Sequence, residues 1–203
     1  NSAGAGAVPT AGSVKIDGSN LGSALAGTIA ATKISANTTS GFSVVEYTGT
    51  GVAGTVAHGL SVTPDLIICK SDQGSRNWVV GSSELTGYTH YLQLSTTAAE
   101  QSSTVKFNDT APTASVFTIG TSNETNNSST GQIAYCFHSV EGYSKVGSYT
   151  ANGVVDGPFI YTGFRPAFIM FKKSSATDPW EILDNKRPAY NQASKGLWPN
   201  SND

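Results

Sequence analysis

The residue types that most often carry out chemistry are few in this chain and far apart. The histidines are His58, His90 and His138, and the cysteines are Cys69 and Cys136. Their spacing matches no zinc motif, and the chain contains no nucleophile elbow and no phosphate-cradling loop. We therefore predict no catalytic residue, no metal site and no cofactor, and we expect a protein that is not an enzyme.

Both cysteines lie in apolar runs, LIICK around Cys69 and IAYCFH around Cys136. Buried free thiols behave as small hydrophobic groups, which is the interpretation that these neighbours favour. A disulfide between the two is the alternative, because the sequence does not supply the Cα separation that a disulfide requires.

Aromatic residues in polar surroundings are better candidates for a binding site. Tyr88, Tyr91, Tyr190 and Trp198 lie near Asn, Asp and Thr residues, a setting in which exposed rings often stack on sugars. The stretch TSNETNNSSTG, residues 121–131, has no apolar side chain and predicts an exposed loop. We predict that glycan or partner contacts are made by the following residues: Tyr88, His90, Tyr91, Asn123, Asn126 and Asn127.

These residues are positioned by short β-type runs that are separated by turn residues. The runs predict strands at residues 43–47, 54–57, 66–70, 78–80, 91–94, 104–107, 116–119 and 133–138. The continuous apolar runs LIIC and FIMF are typical of central strands that are buried on both faces. The fold class that follows is all-β, an antiparallel β-sandwich of jelly-roll-like form.

The chain also repeats itself at a step of about 102 residues. The run that begins at Gly41 resembles the run that begins at Gly142, and four residues recur at a shift of 102: Tyr47 as Tyr149, Gly51 as Gly153, Pro64 as Pro166 and Trp78 as Trp180. We predict a first β repeat at residues 41–141 and a truncated second repeat at residues 142–203, with strands at 144–149, 159–161, 167–171 and 180–183. Only 23 residues follow Trp180, so we expect the chain to belong to a longer protein.

Residues 1–40 differ from the rest of the chain. They open with a Gly/Ala/Ser tract, and their large apolar residues are isolated: Val14, Ile16, Leu21, Leu25, Ile29 and Ile34. So few apolar groups do not make a core in one chain. We predict an extended segment, either a flexible tether or a stalk of three intertwined chains, in which Ile16 and Ile34 are not buried by residues 41–203.

Composition narrows the class of function. Charged residues make up 13% of the chain and the net charge is −2. Phosphate binding needs clustered Lys and Arg, so nucleic acid is not an expected partner. No apolar run approaches the roughly 20 residues that span a bilayer, so no membrane insertion is expected. Low charge with abundant Gly, Ser, Thr and Asn is usual in extracellular and virion β proteins.

Two stretches carry a resemblance to a known family, YCFHSVEGYSK and GFRPAFIMFKK. Together with the surrounding repeat, over about residues 41–191, they resemble a duplicated β domain of tail-fibre-like structural proteins from marine and cyanobacterial tailed bacteriophages. The resemblance implies a location in the virion and a role as a fibre or adhesin.

The resulting expectation is a tail-fibre or appendage protein of the virion. It would be a homotrimer that contacts other virion proteins of the tail, neck or capsid and a host surface glycan. One alternative is a capsid-attached fibre or decoration protein without a receptor role. Another is a carbohydrate-binding module of a secreted hydrolase. A concave aromatic cluster would favour glycan binding, whereas a flat apolar patch would favour virion assembly.

Overall fold

The computed structural model describes residues 4–187 and 195–201 of the chain, and Tyr190 lies outside them. The described fold is all-β, with one short helix. The strands are β1 (Val14–Ile16), β2 (Ser19–Asn20), β3 (Ala31–Asn37), β4 (Phe42–Thr48), β5 (Gly54–Ala57), β6 (Leu66–Ser71), β7 (Val79–Ser82), β8 (His90–Gln93), β9 (Gln101–Ser102), β10 (Val116–Ile119), β11 (Gly131–Phe137), β12 (Phe168–Phe171) and β13 (Glu181–Asp184), and the helix is α1 (Thr104–Phe107).

One large sheet organises the molecule. Its nine strands lie in the order β2-β1-β3-β4-β11-β6-β7-β8-β9. The β1–β3 pair is parallel and the other pairs are antiparallel, so the sheet is mixed. The predicted central position of LIIC is confirmed, since β6 lies between β11 and β7. Its residues Ile67, Ile68 and Cys69 are buried on both faces of the sheet.

A two-stranded ribbon of β5 and β10 covers the inner face of this sheet. Val56 of β5 and Phe117 of β10 are fully buried in the core that the two layers share. Tyr47 of β4 packs edge-on against Phe117, with ring centroids 6.1 Å apart, and its hydroxyl donates to the Thr125 carbonyl at 2.5 Å. Along β4 and β11, buried residues alternate with half-buried ones, because the inner face of the sheet is more fully covered than the outer face.

His58 follows β5 and is fully buried. Its Nδ1 accepts from the Leu60 N–H at 3.2 Å, and its Nε2 lies 3.1 Å from the Thr113 carbonyl. Only the neutral tautomer with the proton on Nε2 satisfies both contacts. Burial lowers the pKa of His58, because the charged imidazolium is poorly solvated there.

We expect this histidine to make the fold sensitive to acid. In the unfolded chain His58 binds a proton near its ordinary pKa of 6.5, whereas in the folded protein it does so only at lower pH. The contribution to stability is therefore present above pH 6.5 and is lost as the pH falls towards the folded-state pKa, by up to about 1.4 kcal/mol per pH unit. Urea unfolding between pH 7.5 and 5 measures this slope. His58→Gln should flatten it and the control His90→Gln should not; equal slopes in the two variants would contradict the assignment.

The prediction that residues 1–40 lack contacts within the chain is wrong. Strand β3 pairs with β4 and is flanked by β1, so this segment forms one end of the large sheet. Val14, Ile29 and Ile34 are buried in the main core, and Ile16 packs against it. Isolated apolar residues are enough to anchor this segment, because each adds to a core that residues 41–141 mainly supply. Neither a flexible tether nor a three-chain stalk describes residues 1–40.

The prediction of a strand at residues 104–107 is also wrong. This run is a single helical turn that ends at Asn108, whose φ of 53° is left-handed. Phe107 points into the core, where its ring would lie 2.6 Å from a Cβ at Gly81. Four residues are too few to distinguish a strand period from a helix period.

The second repeat follows the first only in part. Strands β12 and β13 form a hairpin, but residues 144–149 and 159–161 are not strands, so the prediction that both copies share one strand path is wrong there. In the first repeat β11 lies between β4 and β6. The described residues of the second repeat include no equivalent of β11. Residues 144–149 therefore lack the neighbour that β4 has in β11, and β12 is not a central strand as β6 is.

Candidate binding surface

Asn126 links two turns from the inside of the protein. It is fully buried, and its Nδ2 donates to the carbonyl oxygens of Val52 at 2.8 Å and Gly120 at 2.7 Å. Its Oδ1 accepts from the Thr50 N–H at 2.7 Å. All of these contacts are to the backbone, so the side chain has a structural role. The prediction that Asn126 belongs to an accessible contact surface is therefore wrong.

The prediction that Tyr88 contacts a glycan or a partner is also wrong. Its side chain is 8% exposed, and its ring meets that of Phe107 edge-on at 5.8 Å. Burial is the main cause that raises the pKa of the Tyr88 hydroxyl well above its usual value. A tyrosine in this position fills the core and presents no face on which a sugar could stack.

The other predicted residues remain accessible to different degrees. Asn123 is exposed, whereas His90, Tyr91 and Asn127 are half-buried. Nδ1 of His90 lies 2.8 Å from the hydroxyl of Thr89, which orients the imidazole ring at the start of strand β8.

Lys106 brings the two predicted regions together. Its ammonium lies 5.1 Å from the centroid of the Tyr91 ring, donates to the Ser122 hydroxyl at 3.0 Å and forms an ion pair with Glu124. The other carboxylate oxygen of Glu124 accepts from the Asn77 amide at 3.0 Å. This cluster is mostly buried, so it orients Tyr91 and the 121–125 turn, and the accessible surface consists of their outer edges with Asn123. Such a surface can donate and accept hydrogen bonds with hydroxyl-rich ligands.

The histidines and cysteines lie in separate surroundings in the described part of the chain. Within residues 4–187 and 195–201, no group of three His, Cys, Asp or Glu side chains is placed to hold a metal ion. Cys69 and Cys136 are both buried and free, which answers the question of a disulfide. Burial raises the pKa of Cys69 to about 12 and also raises that of Cys136.

Both thiols should therefore be unreactive in the native protein. We expect Ellman's reagent to label neither cysteine at pH 8 without denaturant, and to label two thiols per chain in guanidinium, because the nucleophile is the thiolate. As a positive control, an exposed cysteine introduced as Ser75→Cys should be labelled at once. Rapid native labelling of Cys69 or Cys136 would contradict their placement.

A different surface was not predicted from the sequence. Apolar residues between positions 154 and 169 are exposed to an unusual degree, with Phe159 90% and Tyr161 80% exposed. The other members of this apolar surface are Val154, Val155, Ile160, Phe168 and Ile169. The sequence signal was present at residues 159–161 and 168–169, but it was assigned to strands that would have buried them, and residues 154 and 155 were assigned to no strand.

The β12–β13 hairpin is docked on the outer face of the large sheet by Trp180. This side chain is 4% exposed and packs in a cluster with Ile68, Val80 and Leu92. Its indole Nε1 donates to the Gln93 carbonyl at 2.9 Å. The large sheet is thus covered by the β5–β10 ribbon on one face and by this hairpin on part of the other.

Fold and surface together define an all-β protein with an uncovered apolar surface. No helix among the described residues is both long and apolar enough to cross a membrane. Residues 15–203 match the family described as a domain of unknown function, DUF7483, and the chain belongs to this family. No curated protein and no solved structure shows significant similarity to it.

Proposed function

We propose that this protein is a structural component of a tailed-bacteriophage virion, a tail-fibre or appendage protein that works as a homotrimer. The observation that carries the proposal is the apolar surface of residues 154–169. Monomeric soluble proteins rarely expose large contiguous apolar patches. A large exposed patch usually marks a surface that is buried when the protein binds a partner. In this proposal, partner copies cover residues 154–169. The sequence had instead suggested that partner copies cover residues 14–34.

Other features are consistent with this role. The low charge and the all-β fold are usual in virion proteins, and the YCFHSVEGYSK and GFRPAFIMFKK stretches resemble phage fibre-like proteins. The location that follows is the virion, with other virion proteins of the tail, neck or capsid as neighbours.

We further propose that the fold is a sandwich built from a duplicated unit. The two hairpins support this, because their registers correspond at a shift of 102. Leu66 pairs with Ser82 as Phe168 pairs with Asp184, and the three following pairs also correspond.

The contacts that close the hairpins also correspond. The N–H of Ser83 donates to the carbonyl of Asp65 at 3.0 Å, and that of Asn185 donates to the carbonyl of Ala167 at 3.1 Å. Equal registers and equal closing bonds are expected of two copies of one unit. The jelly-roll-like form of the sandwich belongs to the same proposal.

Contact with the host is assigned to the surface formed by Tyr91 and Asn123, with His90 and Asn127 at its edge. Its hydroxyl, amide and imidazole groups suit a surface glycan. Each contact would be weak, and presentation of three copies would raise the avidity.

A capsid-attached fibre or decoration protein without a receptor role is the second candidate. The exposed apolar surface favours it, because apolar side chains suit packing against virion neighbours better than sugar binding. The burial of Tyr88 and Asn126 points the same way, since it removes two of the predicted contact residues.

Native mass spectrometry of the purified chain tests the proposed assembly. We expect a complex of three times the 21.0 kDa chain mass. Phe159→Ser together with Tyr161→Ser should release monomers without unfolding the protein, because both residues are exposed in a single copy. The matched control Val52→Ser changes an exposed apolar residue outside this surface and should leave the complex intact. A wild-type chain that is monomeric at all concentrations would contradict the proposal.

A further inference from the structure

The docking contacts of the second hairpin involve a small part of the chain. Besides the Trp180 indole, two backbone bonds join the hairpin loop to residues 97–100. The N–H of Asp178 donates to the Thr97 carbonyl at 2.9 Å, and the N–H of Glu100 donates to the Ser174 carbonyl at 2.8 Å. A tryptophan in an apolar pocket and two backbone bonds form a compact connection, and the Asn200 side chain supports it by accepting from the Trp180 N–H at 2.7 Å.

The segment that leads to this hairpin is long and hardly attached. Every residue from 147 to 161 is exposed, and residues 145–167 contain no strand or helix. Within this described stretch, the hydrogen bond from the Ser148 hydroxyl to the Glu84 carboxylate, at 2.7 Å, is the only one from residues 147–161 to the first repeat. An extended chain of this length spans about 50 Å. The hairpin can therefore reach the same docking face on a neighbouring molecule.

We propose that the β12–β13 hairpin is exchanged between copies of this chain, so that Trp180 of one copy docks on the Ile68–Val80–Leu92 face of the next. This inference rests on the homotrimer of the proposed function and names the contact that builds it. A head-to-tail contact of this kind closes into a ring of three when each copy is rotated by one third of a turn from the last, which is the arrangement that the homotrimer requires. Each exposed segment then crosses from one copy to another, where its apolar residues gain neighbours that a single copy does not give them.

Disulfide trapping tests this exchange. Thr97 and Asp178 are both exposed, and the Asp178–Thr97 backbone bond brings the two residues within the Cα range of a disulfide. Thr97→Cys and Asp178→Cys chains of different tag length are co-expressed, oxidised and separated on a non-reducing gel. The native cysteines are buried and stay reduced. We expect a disulfide-linked heterodimer, and we expect covalent trimers from the double variant.

A control pairs Asp178→Cys with Ser75→Cys, an exposed position in the loop between β6 and β7. It should give no more than background cross-linking. The exchange is overturned if the amount of disulfide-linked heterodimer equals that of the control and the double variant forms only an internal disulfide. Native mass spectrometry of the same samples separates the two failures. Three copies with internal disulfides leave the proposed trimer intact and reject the exchange, whereas monomers reject both.

Discussion

Replacing Trp180 with alanine should detach the second hairpin from the large sheet. The indole fills a buried pocket and makes a hydrogen bond to Gln93, and truncation of a buried tryptophan costs about 3–5 kcal/mol. Hydrogen exchange read by mass spectrometry should show loss of protection across β12 and β13. Protection in β4, β6 and β11 should stay, because Val45, Ile67 and Cys136 of these strands pack in the main core on the other face of the sheet.

Trp198→Ala is the matched control for this change. Trp198 also belongs to the second repeat but is 40% exposed, so its loss should leave β12 and β13 protected. If the two tryptophan variants exchanged alike, or if Trp180→Ala lowered protection throughout the sheet, the docking described for Trp180 would be contradicted.

Replacing Asn126 with alanine should lower the free energy of unfolding by about 2–6 kcal/mol. The change leaves the buried Gly120 carbonyl without its partner, which costs about 1–3 kcal/mol, and removes the part-buried hydrogen bonds to the Thr50 N–H and the Val52 carbonyl, worth about 0.5–1.5 kcal/mol each. Asn123→Ala, in the same loop but exposed, should change stability by no more than about 0.5 kcal/mol. Urea denaturation of both variants makes the comparison, and equal midpoints would refute the structural role of Asn126.

The strands that could be predicted are those with strong local patterns. Val116–Ile119 and Gly54–Ala57 have the predicted bounds, and LIIC became a central strand, because β-branched and apolar residues bounded by turn residues leave few alternatives. The turn at Thr104–Phe107 was missed because its determinant is the packing of Phe107 against Gly81, residues that are distant in sequence.

The candidate binding surface was harder to predict, because it too depends on contacts between residues that are distant in sequence. A polar run such as residues 121–131 predicts a loop, but the sequence does not tell which asparagine turns inward to bond the backbone of another loop. Residues 14–37 pose the converse problem. Their apolar content is too low for a core of their own, yet they pair with the edge of a sheet whose core comes from later residues.

We propose that this chain is an assembled part of a tailed phage particle, and a cryo-electron microscopy map of the particle would decide the question. We expect density for three copies around one axis on a tail fibre or other appendage. In that density the residues 154–169 should lie between copies, and the edge formed by Tyr91 and Asn123 should face outwards. A map in which no density fits this chain, or in which single copies leave residues 154–169 exposed to solvent, would contradict the proposal.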